Sequence, residues 1–212
     1  MRVVIAGGHG KIALELTRLL DERGDQVRSL IRNPDHAEEV REAGALEAIV
    51  CDLEHADDDR VAEAVGEAEA VVFAAGAGPN SGPERKESMD YGGAVKLIEA
   101  ARHNHIPRYV IVSSMGADSG HEGDETFDVY LRAKGRADDA VVASGLDYAI
   151  VKPGMLTDDP PTGKVEAGDS VERGEIPRDD VAAVLAVLIA DKATARTIEV
   201  VSGDTPIDSI LG

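Results

Sequence analysis

The chain has one cysteine, Cys51, in 212 residues, so no disulfide can form within it. It also lacks any run close to the roughly 20 apolar residues of a membrane-spanning helix. The apolar run at its start is short and broken by glycines, so no signal peptide is expected. That absence argues for the cytoplasm, and a single cysteine is compatible with it. Basic residues are scarce: 22 Lys and Arg stand against 41 Asp and Glu, a net charge of −19. A nucleic-acid ligand needs a basic footprint, so the charge argues against one, and equally against anionic membrane surfaces. A self-repelling, soluble surface is the simplest reading; a salt-adapted source or a basic protein partner also fits. No internal repeat and no composition break marks a second domain. At this length, with 43% apolar residues, one domain can bury a sizeable core.

What the chain does have is a glycine-rich start. Val3-Val4-Ile5-Ala6 runs into Gly7-Gly8-His9-Gly10-Lys11-Ile12-Ala13-Leu14, and a helical pattern begins at once. Strand, tight turn and helix N-terminus bring bare backbone N–H groups and the positive end of a helix dipole to one point, where phosphate binds. Gly7 can take the turn at positive φ, Gly10 admits a pyrophosphate, and Ala13 is small where helix and strand pack.

Hydrophobic periodicity continues the alternation. Strands are expected near 2–6, 26–31, 46–50, 70–74, 109–113, 148–151 and 197–201. Helices are expected near 10–23, 34–43, 56–65, 84–103, 127–143 and 181–189. Asn33 and Pro34 suit a helix start. Residues 155–176, rich in Gly, Pro and Asp, read as an irregular flap with at most one short strand near 164–167. The fold class that follows is α/β, a doubly wound parallel sheet of Rossmann type in a single domain over 1–212. Ligands in such sheets lie beyond the carboxyl ends of the strands. Those ends carry the expected cofactor contacts: Gly7, Gly8, His9, Gly10, Lys11 and Ile12; Arg32; Asp52 and Leu53; Ala75, Gly76 and Ala77; Ser113; and Pro153, Gly154 and Met155.

An NAD-preferring site places an acid on the ribose after the second strand. Arg32 stands there, with no acid between Val27 and Asn33. A guanidinium can pair with a 2′-phosphate, so NADP(H) is expected in preference to NAD(H). Asp52 can accept from the adenine amino group or cap the next helix.

Tyr130 and Lys134 lie four residues apart on an expected helix and share a face. An ammonium beside a phenol favours the phenolate. Such a tyrosine can exchange a proton with a carbonyl or alcohol while hydride moves to or from nicotinamide. Lys134 can also reach the nicotinamide ribose, and Ser114 can hold the substrate oxygen. No metal is expected: His103 and His105, two apart near a helix end, face different ways.

Ala6-Gly7-Gly8-His9-Gly10-Lys11-Ile12-Ala13, Arg32-Asn33-Pro34, Cys51-Asp52-Leu53, Val112-Ser113-Ser114, Tyr130-Leu131-Arg132-Ala133-Lys134 and Val151-Lys152-Pro153-Gly154 together resemble the atypical short-chain dehydrogenases/reductases. The resemblance is to the branch of NAD(P)H-binding proteins similar to NAD-dependent epimerases, NmrA-like regulators and flavin reductases, and it covers nearly the whole chain. It implies NADP(H) and redox chemistry by Ser114, Tyr130 and Lys134. It also implies that Asp90 occupies the position where extended members carry a catalytic-tetrad asparagine. A carboxylate cannot donate as an amide does, which puts the usual proton relay in doubt. Extended members carry a large C-terminal substrate domain, whereas about 60 residues follow the sixth expected strand here, so a shallow pocket is expected between the loops at 76–90, 115–126 and 154–176. Three functions remain open: an oxidoreductase or epimerase-like enzyme on a small carbonyl, alcohol or sugar-type substrate; a non-catalytic NADP(H) sensor; and a flavin or quinone reductase. A homodimer through the long helices is a family-level expectation.

Overall fold

Val3-Val4-Ile5-Ala6 is apolar on both faces, as a strand covered by helices on two sides must be. The structure is a computed structural model that describes residues 1–78, 80–191 and 195–211. In chain order its first half comprises β1 (Arg2–Ala6), α1 (Lys11–Glu22), β2 (Gln26–Ile31), α2 (Ala37–Glu42), β3 (Glu47–Val50), α3 (Asp58–Val65) and β4 (Ala70–Phe73). Next come α4 (Pro83–Arg85), a π-helical segment (Lys86–Gly93) and α5 (Ala94–His103), followed by β5 (Arg108–Val112) and α6 (Thr126–Ala143). The chain continues with β6 (Asp147–Pro153), β7 (Met155–Thr157), β8 (Lys164–Gly168), β9 (Glu175–Pro177), α7 (Arg178–Ala190), β10 (Arg196–Ser202) and β11 (Thr205–Pro206).

The main sheet has the order β11-β8-β10-β6-β5-β4-β1-β2-β3. From β3 to β10 every ladder is parallel; β1, for example, pairs Val3 with Val27 of β2 and with Ala70 of β4. The order reverses between β1 and β4, which opens the crevice where ligands of such sheets sit. One core cluster joins Val4 and Ala6 to α3, α5 and α6. The other joins Val3 and Ile5 to α1 and α7. Alternate residues of one strand thus serve opposite layers. Leu14, Ile31 and Val40 bury α2 in a third, smaller cluster. No helix among the described residues is long and apolar enough to cross a membrane.

Two expectations need correction. The stretch 155–176 is more ordered than its composition implies. β8 pairs antiparallel with β10, and β7 pairs with β9 in a small sheet of two strands. Asp180, buried in the first turn of α7, anchors this region by accepting from the Thr162 and Gly163 amides and the Thr162 hydroxyl. A cross-chain tether of this kind leaves no mark on local composition. The strand at 197–201 is also not the last, because β11 follows and pairs with β8.

The helix expected over 84–103 contains the π segment. Lys86, Met89, Asp90 and Gly93 are all buried there. A Cβ on Gly93 would stand 2.9 Å from Met89 Sδ and 3.4 Å from the Phe73 ring, so a side chain there would have to displace Met89. Such wide turns are frequent at functional sites, and this one turns a lysine and an aspartate inward.

Candidate active site and cofactor cleft

The glycine turn is built as its sequence implies. Gly7 has φ +80°, and a Cβ there would lie 2.7 Å from the Ala75 amide nitrogen. A Cβ on Gly8 would lie 2.5 Å from that of Ser29. Gly10 is the N-cap of α1. No side chain caps its amides, and the first turn holds no acid. Uncapped amides at the positive end of a helix, in a cradle that a Cβ would fill, fit a cofactor pyrophosphate.

Beyond the turn lies a cleft of about 340 Å3, lined by Gly7, His9, Gly10, Arg32, Ala75 to Gly78 and Arg85. The His9 ring stacks on His36 at 3.4 Å between centroids, and its Nε2 lies 2.6 Å from Glu39. Arg32 is more than half exposed and stands 3.8 Å from Glu54, which Arg85 approaches to 2.8 Å. Burial pushes the Glu54 carboxyl upward, but hydrogen bonds from Arg85 and Ser88 outweigh that and hold it below the usual range. Arg85 and Glu54 escaped sequence reasoning because neither lies in a motif. Asp52 accepts from the Glu54 amide and from His55. The α3 cap is Asp57, which accepts from the Arg60 amide. The Leu53 side chain is buried in the core and not in the cleft.

Around the carboxyl ends of β4, β5 and β6 the catalytic candidates converge. Lys134 is buried. Its Nζ donates to the Val112 carbonyl at 3.0 Å and pairs with Asp90 at 3.2 Å. Burial pulls its pKa down, yet Asp90 outweighs burial and the net shift is upward. Asp90 also accepts from the Ala77 amide at 3.2 Å, so both its oxygens act as acceptors. An asparagine amide nitrogen could take neither role. The carboxylate ties Lys134 to the loop after β4.

The Tyr130 ring faces two ammonium groups: Lys134 Nζ at 6.0 Å and Lys86 Nζ at 5.4 Å from its centroid. Lys86 arrives from the π segment and donates to the Gly78 carbonyl at 2.6 Å. Burial lowers its pKa despite the opposing pull of Asp90. Spacing reveals Lys134, four residues from Tyr130, but not Lys86, which is 44 residues away.

The two serines after β5 divide. Ser113 is buried and donates to Asp138 at 2.8 Å, with Lys152 paired to the same carboxylate at 3.1 Å. Burial raises the Asp138 pKa against the pull of Lys152. Ser114 is only partly buried, its hydroxyl 3.3 Å from the Met115 carbonyl. It faces a pocket of about 590 Å3 shared with Tyr130, Pro153, Gly154 and Met155. At the rim, Asp158 bridges Lys11 and Arg178, with both distances 2.6 Å. Ile12 lies half-buried beside this turn.

The geometry therefore joins a glycine turn with uncapped helix amides, an arginine-lined cleft and the Ser114, Tyr130 and Lys134 side chains along the carboxyl edge of the sheet. A model of the NAD(P)H-binding family matches residues 7–192. The chain is 36% identical to the uncharacterized sugar epimerase YhfK of Bacillus subtilis (strain 168), over 100% of this chain and 99% of that one. A solved structure from Bacillus halodurans, provisionally assigned as an NAD-dependent epimerase/dehydratase, is 38% identical with a TM-score of 0.92, covering 100% of this chain and 98% of the other. An anaerobillin reductase of Escherichia coli O157:H7, ChuY, superposes with a TM-score of 0.80 at 25% identity, over 96% of this chain and 98% of that one. On residues, fold and relatives alike, the chain belongs to the NAD(P)H-binding family.

Proposed function

We propose that the protein is an NADP(H)-dependent oxidoreductase acting on a small carbonyl, alcohol or sugar-type substrate. The observation that carries this reading is Tyr130 facing the ammonium groups of both Lys86 and Lys134 beside a pocket that also holds Ser114. Two cations beside the ring stabilise negative charge that develops on its oxygen as the proton moves. The cofactor, when bound, supplies or accepts the hydride. Tyr130 Oη delivers the proton to the substrate oxygen in reduction and takes it back in oxidation. Ser114 Oγ donates a hydrogen bond to the same oxygen and orients it. Asp90 and Val112 hold Lys134 in place, and Lys134 supplies charge and a contact to the nicotinamide ribose. Arg32, supported by Arg85, pairs with the 2′-phosphate and favours NADP(H) over NAD(H); Asp52 accepts from the adenine amino group.

Tyr130→Phe tests the reading. Turnover should fall by about 10²–10⁴-fold, the usual worth of one general acid–base group, while the calorimetric affinity for NADPH stays unchanged. Unaltered turnover removes Tyr130 from the mechanism.

A second reading, an NADP(H) sensor, rests on the Lys11–Asp158–Arg178 bridge that links the phosphate turn to β7 and α7. Phosphate binding at Lys11 would compete for that bridge. The sensor reading requires different affinities for NADP⁺ and NADPH, since a ligand shifts states only by differential affinity.

A further inference from the structure

The pocket beside Tyr130 has a composition at odds with the rest of the molecule. The chain carries 41 acids against 22 bases. The pocket wall nevertheless holds two arginines, Arg173 and Arg178, and no carboxylate. Arg178 is partnered by Asp158. Arg173 is not: among the described residues no hydrogen bond or ion pair holds its guanidinium. Its Nη2 stands 3.3 Å from where a Cβ on Gly116 would be, against the loop that carries Ser114. Apart from Ser113, Ser114 and Tyr130, the side chains of the remaining wall are apolar. Phe127 and Met155 are each more than 60% exposed at its rim, and Phe127 stacks with Tyr130 at 5.9 Å between ring centroids.

We propose that this pocket binds an apolar substrate bearing an anionic group, with Arg173 pairing the anion and Met115, Phe127, Met155 and Leu156 holding the body. Its reacting carbonyl or alcohol then lies at Ser114 and Tyr130, a placement that rests on the oxidoreductase reading; the anion site does not. Three arguments converge. An unpaired guanidinium is the side chain best suited to fork onto a carboxylate or sulfonate. In so acidic a protein, a wall free of carboxylates spares an anion the repulsion it would meet elsewhere on the surface. A polyol needs hydrogen-bonding partners around its hydroxyls, and this wall offers few beyond Ser114 and Tyr130, whereas exposed apolar side chains gain by covering an apolar body.

The test pairs two fluorescent probes with the same apolar body: 8-anilinonaphthalene-1-sulfonate, which carries an anion, and N-phenyl-1-naphthylamine, which does not. Each is titrated into the protein saturated with NADP⁺, so that the cofactor cleft is closed to it. The sulfonate should bind more tightly. Arg173→Ala should weaken it by about tenfold or more, the scale of one charge-assisted hydrogen bond, with the neutral probe unaffected and Arg173→Lys intermediate. Arg173 is exposed, so the variant should fold, and a thermal melt checks this. Equal binding of the two probes, no sulfonate binding, or full sulfonate affinity in Arg173→Ala overturns the proposal. Phenylglyoxylate and its methyl ester then extend the test to turnover with NADPH. The acid should be preferred, and Arg173→Ala should raise its KM with little change in kcat. Sulfonate binding without turnover of any carbonyl would leave the anion site standing and sink the oxidoreductase reading. Turnover that ignores Arg173 would do the reverse.

Discussion

Asp90 and Lys134 form an ion pair 3.2 Å long in which neither side chain is more than 5% exposed. One comes from the π segment and the other from α6, so the pair joins the helix that carries Tyr130 to the segment that brings Lys86 over its ring. Water cannot replace either partner. Removing one leaves a buried charge, which typically costs about 3–5 kcal/mol.

Asp90→Asn should therefore change the slope of stability with pH as well as its level. In the wild type the folded chain holds the Lys134 proton more tightly than the unfolded chain does. That contribution is complete below the ordinary lysine pKa and is lost only as pH rises through the raised value. In the variant that pull is gone while burial remains, so the folded chain should hold the proton less tightly than the wild type does, and stability should rise relative to the wild type as pH approaches the ordinary lysine value of about 10.4. Urea midpoints across that range compare the two proteins. Parallel profiles would show that Asp90 does not set the charge of Lys134.

Asp138 is shifted in the same direction as Lys134, in a lower pH range. Its pKa is raised by burial in spite of Lys152 and Ser113. The folded state then binds a proton more tightly than the unfolded state. Its contribution falls as pH rises from the ordinary aspartate value, about 3.9, through the raised one. Asp138→Asn keeps an oxygen for the Ser113 hydroxyl and loses the titration. Melting temperatures measured upward from about pH 4 should decline for the wild type relative to the variant.

Arg32→Ala should weaken NADPH by about tenfold to a hundredfold, the worth of a charge-assisted hydrogen bond of roughly 1.5–3 kcal/mol, and leave NADH nearly unchanged. Calorimetric titration with each cofactor measures both. Equal losses would assign Arg32 to the part of the molecule the two cofactors share.

Gly7→Ala and Gly24→Ala separate backbone strain from lack of space. Both glycines have positive φ, +80° and +86°. A Cβ at position 24 meets nothing within 4 Å, while one at position 7 strikes Ala75. Gly24→Ala should cost about 1 kcal/mol for the left-handed backbone alone. Gly7→Ala should cost more in a denaturant melt and should also abolish cofactor binding.

Much of the fold was legible because periodicity and turn residues report local geometry. The run from Val3 to Ala6, the glycine turn and the helix from Lys11 follow one another in sequence and in space. The Tyr130–Lys134 relation is one helical turn, so spacing alone finds it. The π segment was not legible, because helical spacing marks the turns on either side of it but does not distinguish a π turn from an α turn. Nor was the order in 155–176, which Asp180 imposes from another element.

The sequence by itself determined the alternation of strands and helices, the glycine turn and the placing of Lys134 one helical turn from Tyr130. Tertiary structure alone decided which distant groups meet. Lys86 was brought onto Tyr130, Asp90 onto Lys134, Arg85 and Glu54 onto the Arg32 cleft, and Arg173 onto the loop after Ser114. The division has a physical cause. Hydrophobic spacing and dihedral preference act between neighbours along the chain. The partner of a buried charge is chosen by the order in which strands cross, and no local pattern encodes that order.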